Sequence, residues 1–195
     1  LPILDWIQAH LQCTFLDKAM PIVTLFGDGG VFWILVAVAL LFFAKYRKTG
    51  FSMGMALILG LLVCNIFLKP QVARIRPYNF QLQEYGREIT LLVKGLNDYS
   101  FPSGHTIASF EACTVLMLHD KRLGIPATVL AILIAFSRLY LYVHYPTDVL
   151  VSVVLGILFG VFSVSRLSVL RGITRVYVEV VQNVPLLLQV FVLYA

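Results

Sequence analysis

Residues 29–70 read GGVFWILVAVALLFFAKYRKTGFSMGMALILGLLVCNIFLKP, and this stretch decides the fold. Two apolar runs, about 29–44 and 51–68, flank a short basic turn made by Lys45, Arg47 and Lys48. A helix needs roughly 20 mostly apolar residues to cross the hydrocarbon of a bilayer. The stretch therefore reads as two spans joined by a charged turn. Similar runs recur at about 104–118, 125–142 and 147–165, and a sixth begins near 176 and continues to Ala195. The chain of 195 residues is 59% hydrophobic and only 13% charged, where an ordinary soluble domain carries about 25% charged residues. The expected fold is all-α: a polytopic transmembrane helix bundle of five to six spans.

Ahead of the first span, Ile3, Leu4, Ile7, Leu11 and Phe15 recur at helical spacing, with Trp6 beside them. Asp5, Gln8, His10, Gln12, Asp17 and Lys18 interrupt any apolar core, so residues 1–20 are not expected to be a signal peptide. Residues 1–20 are expected to form an amphipathic helix lying at the membrane interface. Gly27-Asp28-Gly29-Gly30 reads as a turn before the first span; without a Lys it is no phosphate loop.

The net charge of +5 does not point to nucleic acid. The basic residues sit at the ends of apolar runs or in one long polar loop, not on a continuous water-facing surface. Cys13, Cys64 and Cys113 are scattered, odd in number, and fit neither a disulfide framework nor a metal site. Lys45, Arg47 and Lys48, then Lys121 and Arg122, then Arg166, Arg171 and Arg175 fall on one side of the membrane. By the positive-inside rule that side is cytoplasmic. The loop from Lys69 to Phe101 and the connection around His144 then face outward. That loop is itself basic, with Lys69, Arg74, Arg76, Arg87 and Lys94, an exception that anion binding would explain.

The polar residues that break the membrane pattern form three groups at this outer face. The first is Lys69-Pro-Gln-Val-Ala-Arg-Ile-Arg76-Pro77, the second Pro102-Ser103-Gly104-His105, and the third runs from Ser137-Arg138 through His144 to Asp148. Lys69, Arg76 and Arg138 supply fixed positive charge, and the planar fork of Arg suits a phosphate. Ser103 and Gly104 precede an apolar helical run, where free backbone N–H groups bind anions and Gly permits close approach. His105 falls in the first turn beside the same anion. His144 and Asp148 are four apart, so the carboxylate can take the proton on one ring nitrogen and leave the other free to attack. Each piece alone is ordinary: a snorkelling anchor, a helix cap, an interfacial histidine. Their collection at the ends of three spans is not.

Together these groups resemble the signature of the type 2 phosphatidic acid phosphatase family: Lys-x6-Arg-Pro, Pro-Ser-Gly-His and Ser-Arg-x5-His-x3-Asp. Every spacing matches, and the likeness extends over about 20–165. The resemblance implies that His144 attacks phosphorus and carries the phosphoryl group, with Asp148 orienting it. It implies that His105 protonates the leaving oxygen, while Lys69, Arg76, Ser103, Gly104 and Arg138 hold the phosphate. No metal or other cofactor is implied, and cations stand where magnesium would need carboxylates. Vanadium-dependent haloperoxidases share the signature, but those proteins are soluble. The implied partner is a lipid phosphate in a bacterial cytoplasmic membrane, with undecaprenyl diphosphate favoured over phosphatidylglycerophosphate or phosphatidate. Tyr78, Phe80, Tyr85 and Tyr99 in the long loop are candidates for its entrance or for headgroup anchors. Glu111 and Asn65, polar residues inside spans, stay outside the expected site.

The expected phosphatase domain is 1–165. Beyond it, residues 175–191, RVYVEVVQNVPLLLQVF, resemble a membrane segment of polar amino-acid permeases of the ATP-binding-cassette type. A fused permease segment and a further anchor helix are both open for 166–195, so a transporter-type component is one alternative function and a vanadate-dependent haloperoxidase-like enzyme the other.

Overall fold

The computed structural model describes residues 1–165, and every regular element among them is a helix, with an irregular loop at 86–103. Helix α1 (Pro2–Leu11) and α2 (Thr14–Leu25) precede a 3₁₀ turn at Asp28–Gly30 and α3 (Val31–Phe42). Helix α4 (Arg47–Gly60) continues through a π-helical stretch (Leu61–Leu68) into the short α5 (Lys69–Val72). Then come α6 (Pro77–Tyr85), α7 (Gly104–His119), α8 (Lys121–Tyr140) and α9 (Pro146–Val164). Four helical stretches are long and apolar enough to cross a membrane: Thr14–Phe42, Arg47–Tyr85, Lys121–Tyr140 and Pro146–Val164.

Helix α7, a fifth expected span, has 16 residues and lies at the centre of the bundle. Its Thr106, Ile107, Ala112, Cys113, Val115 and Leu116 are all buried. Protein surrounds it, so it tolerates polar Ser109 and Glu111 where lipid would not. The hydroxyl of Ser109 accepts a hydrogen bond from the indole of Trp33 at 3.0 Å. Helix α9 packs closely on α7 because Gly156 and Gly160 present no side chain: a Cβ on either would come within 2.7 Å of Phe110 or Thr114. The outward faces carry Phe15, Phe42, Phe51, Ile66 and Leu150, all more than half exposed, a surface suited to hydrocarbon.

The N-terminal helix departs from its expected extent. It breaks at Gln12 and Cys13, which are extended, so the single helix expected over 1–20 is α1 followed by the start of α2. Leu4 and Ile7 are buried while Ile3 and Trp6 remain exposed. The apolar stretch then begins at Thr14, with the Gly27–Gly30 turn inside it. Asp17, Lys18 and Pro21 disguise that start in the sequence.

At one end of the bundle, the Tyr46 hydroxyl donates to Asp120 at 3.1 Å. It joins the turn bearing Lys45, Arg47 and Lys48 to the one bearing Lys121 and Arg122. Helix α8 carries the chain from there to the opposite end, where the three motif groups lie. The third basic cluster and the permease-like segment fall outside the described residues.

Candidate active site

The connection from α8 to α9 turns sharply because Tyr142 takes a φ of 59°, a region that bulky residues rarely adopt. Its buried ring is held at both sides: the hydroxyl donates to Asp5 at 2.9 Å and accepts from Gln81 at 3.0 Å. This corner aims the Val143 carbonyl and His144 at Arg76. The Arg76 guanidinium donates to Val143 O at 2.9 Å and lies 3.3 Å from Nε2 of His144. His144 is 2% exposed. Burial, reinforced by the charges of Arg138 and Arg76, pulls its imidazole down to about 3 against the opposing pull of Asp148. The ring is therefore neutral at ordinary pH, with Nε2 as the nitrogen facing the cavity's cations.

Nδ1 of His144 points back to Asp148 Oδ2 at 3.8 Å, beyond hydrogen-bond length, and has no other partner among the described residues. The direct bond expected from the sequence is thus an ion-pair distance here. Asp148 is fully buried and occupied instead by Ser100 Oγ at 2.5 Å, the Tyr145 N–H at 3.0 Å and Arg74 at 2.6 Å. Arg74 also stacks on the Tyr145 ring at 3.8 Å and donates to Thr147 at 2.8 Å. Arg74 and Ser100 are residues the sequence reading missed. Arg74 sits in an unspecified place of the first motif, and Ser100 precedes the second; neither spacing marks them.

A cavity of about 600 Å³ brings together Lys69, Arg76, Gly104, His105, Arg138 and His144. Arg138 is buried, with Nη1 on Thr24 Oγ1 at 2.5 Å and Nε unpartnered among the described residues. Lys69 and Arg76 do not stand free. Asp98, also missed from the sequence, pairs with Lys69 and accepts from Arg76 Nη2 at 2.5 Å. Burial works against the Asp98 carboxylate, but these two cations hold it down at about 2. Two of the cavity's positive charges already face one carboxylate, which any anion entering there would have to share or displace.

Ser103 differs from its expected place. It is buried, and its N–H donates to Ser152 Oγ at 2.8 Å instead of facing an anion. It supports the start of α7 through Thr106, which donates to its hydroxyl at 3.0 Å. The N–H groups of Gly104 and His105 open that helix, where no helical carbonyl accepts them. A Cβ at Gly104 would lie 3.1 Å from Asn65 Oδ1, a tight approach.

The cavity does not stop at the polar residues. It continues between α3 and α4 past Ile34, Ala37, Leu57 and Gly54 as far as Leu41 and Gly50. Ile34, Phe51, Ile58 and Leu61 line it yet are 47–64% exposed, so the groove opens sideways onto the apolar surface. Glu111 lines it too, 1% exposed, packed over Gly60, with Oε1 unpartnered among the described residues. In the long loop, Tyr78 is a strut rather than an anchor, bonded through its hydroxyl to the carbonyl and N–H of Leu96 at 2.7 and 3.0 Å. Tyr85 and Tyr99 are exposed.

Residues 45–172, which carry this cluster of cations and two histidines, match the model of the PAP2 superfamily. The chain belongs to the PAP2 superfamily. An undecaprenyl-diphosphatase of Sulfolobus acidocaldarius is 34% identical over 146 residues, covering 74% of this chain and 68% of that protein. The undecaprenyl-diphosphatase BcrC of Bacillus subtilis is 26% identical over 169 residues, covering 87% and 84%. The crystal structure of Aquifex aeolicus LpxE superposes with a TM-score of 0.71 at 27% identity, covering 83% of this chain and 92% of that one. The chain is an integral-membrane hydrolase of lipid phosphates.

Proposed function

We propose that the chain hydrolyses a lipid diphosphate of the undecaprenyl type through a phosphoryl group carried on His144, at the outer face of the membrane. The observation that carries this reading is the meeting of His144 Nε2 with Arg76 inside a cavity that also holds His105, Arg138 and Lys69. The Nε2 lone pair attacks phosphorus while the bond to the leaving oxygen breaks, its electrons staying on oxygen. His105 gives that oxygen its proton. Water then attacks the phosphohistidine, His105 takes a proton from it, and the N–P electrons return to Nε2. Arg76, Arg138, Lys69 and the first N–H groups of α7, at Gly104 and His105, face the charge that develops on phosphate. Ser103 and Asp148 act from behind, by fixing the helix start and the nucleophile. Cationic side chains supply the charge compensation, so the mechanism uses no metal.

Support for a prenyl diphosphate comes from the two undecaprenyl-diphosphatases among the relatives and from a groove that accepts a long apolar tail. The phosphatase domain is residues 1–165. Phosphate release by the purified chain from defined lipids tests the reading. Undecaprenyl diphosphate should exceed phosphatidate and phosphatidylglycerophosphate by at least about tenfold in kcat/KM, and equal turnover of all three would sink the narrow assignment. Rapid quench with labelled substrate should trap an acid-labile, base-stable phosphoprotein; its absence would remove the covalent step. Outward facing is tested by an impermeant thiol reagent, which should label Gln83→Cys and not Lys48→Cys in intact cells.

A further inference from the structure

The Gly27-Asp28-Gly29-Gly30 turn forms one wall of the catalytic cavity. A Cβ at Gly27 would lie 2.8 Å from His105 Cδ2 and 2.9 Å from Ile134 Cγ2, so the backbone lies flush against the imidazole. Gly29 and Gly30 take φ values of 55° and 68°, conformations that glycine adopts without cost. Between them and the ring stands Asp28, 73% exposed, with Oδ1 3.8 Å from Nε2 of His105. The turn lies against His105 and sets one carboxylate beside it, whose charge also reaches Arg138.

The charges that face His105 make that carboxylate consequential. Lys69 at the end of the second span, Arg76 and His144 from the connections, and Arg138 from α8 share its cavity. Each fixed cation there repels a protonated ring. The other acids are engaged or remote: Asp98 holds Lys69 and Arg76, Asp148 is taken by Arg74 and Ser100, and Glu111 lies deeper along α7. A general acid needs its proton at the moment the leaving oxygen departs, and among cations it needs a counter-charge to keep it.

We propose that Asp28 is the positioning residue of the general acid, holding the proton on Nε2 of His105 until the leaving oxygen takes it. This inference rests on the phosphohistidine reading above. As the P–O bond breaks, its electron pair stays on the leaving oxygen, the proton moves to it from Nε2, and His105 becomes neutral. When water attacks the phosphohistidine, a proton returns to Nε2 and Asp28 again faces an imidazolium. The carboxylate ends each turnover unchanged, open to water at the cavity's rim.

The test compares Asp28→Asn with the parent chain, both purified whole in detergent, on two substrates. Phosphatidate has a poor alkoxide leaving group; p-nitrophenyl phosphate has a good one that needs little protonation. The variant should lose about tenfold on phosphatidate, the equivalent of one pKa unit, and stay within about twofold on the aryl ester. The basic limb of its pH profile should move down by about one unit, because His105 sheds its proton earlier. Asp28→Glu should restore most of the activity. Equal slowing on both substrates, an unmoved limb, or full activity in Asp28→Asn would overturn the assignment while leaving the phosphatase intact. A parent chain that releases no phosphate from undecaprenyl diphosphate or from either ester would overturn the phosphatase reading, and Asp28's role with it.

Discussion

His144 is 2% exposed and backed by Asp148, which Ser100, Tyr145 and Arg74 hold from three sides. His105 is backed by Asp28, which is 73% exposed on a turn of glycines. The two imidazoles share a cavity and the same 3.8 Å spacing to a carboxylate, yet their surroundings are opposite. In the proposed mechanism His144 is a nucleophile that must be neutral and point one way, so burial and a rigid corner would serve it. His105, proposed to give and regain a proton, would be served by an open, charge-bearing turn in contact with water.

The sharpest way to break this contrast is to exchange its terms. His144→Ala should lower turnover by at least about 10³-fold and abolish the trapped phosphoprotein; near-normal activity would end the distinction outright. In the parent chain the same ring, held at about 3, should stay neutral as pH falls and gain its proton only near that value. A nitrogen-15 spectrum of His144 that titrates near 6.5 would contradict the buried-nucleophile half.

His105→Ala should cost about 10² to 10³-fold on phosphatidate and far less on an aryl phosphate; a loss equal on both would assign His105 to binding. Arg74→Ala frees one oxygen of Asp148 and should reduce kcat by about tenfold, the lower range for a residue acting through another. A raised KM with unchanged kcat would place Arg74 in substrate binding instead. The smallest effect belongs to the groove. At Gly54 a Cβ meets nothing within 4 Å, so Gly54→Leu should fold normally and narrow the cavity. A several-fold loss on the undecaprenyl lipid, with a short-chain analogue unaffected, would mark the groove as the seat of the tail; equal rates on both would not.

Much of this was legible in the residues. The long apolar runs announce their helices because membrane spans need length and apolarity, and both are written locally. The motif residues could be gathered at one end of the bundle by counting spans. Helix α7 fits that count although protein, not lipid, encloses it. What escaped were partners that depend on the path of the long loop. Asp98 reaches Lys69 and Arg76 from 29 and 22 residues away, and no periodicity connects them. Arg74 was hidden inside a motif that specifies its neighbours and not itself. The break at Gln12 and Cys13 was disguised because α1 and α2 carry apolar residues at one continuous helical spacing. Asp28 read as a turn because Gly-Asp-Gly-Gly is turn chemistry. Its second meaning exists only where the turn meets His105.

The sideways opening between α3 and α4 has a kinetic consequence. A lipid that arrives through it is drawn from the plane of the membrane, so the relevant supply is its mole fraction there and not its amount per litre. Diluting the substrate with inert phospholipid at constant bulk concentration should slow the enzyme, a surface-dilution behaviour that a site reached only from water would not display.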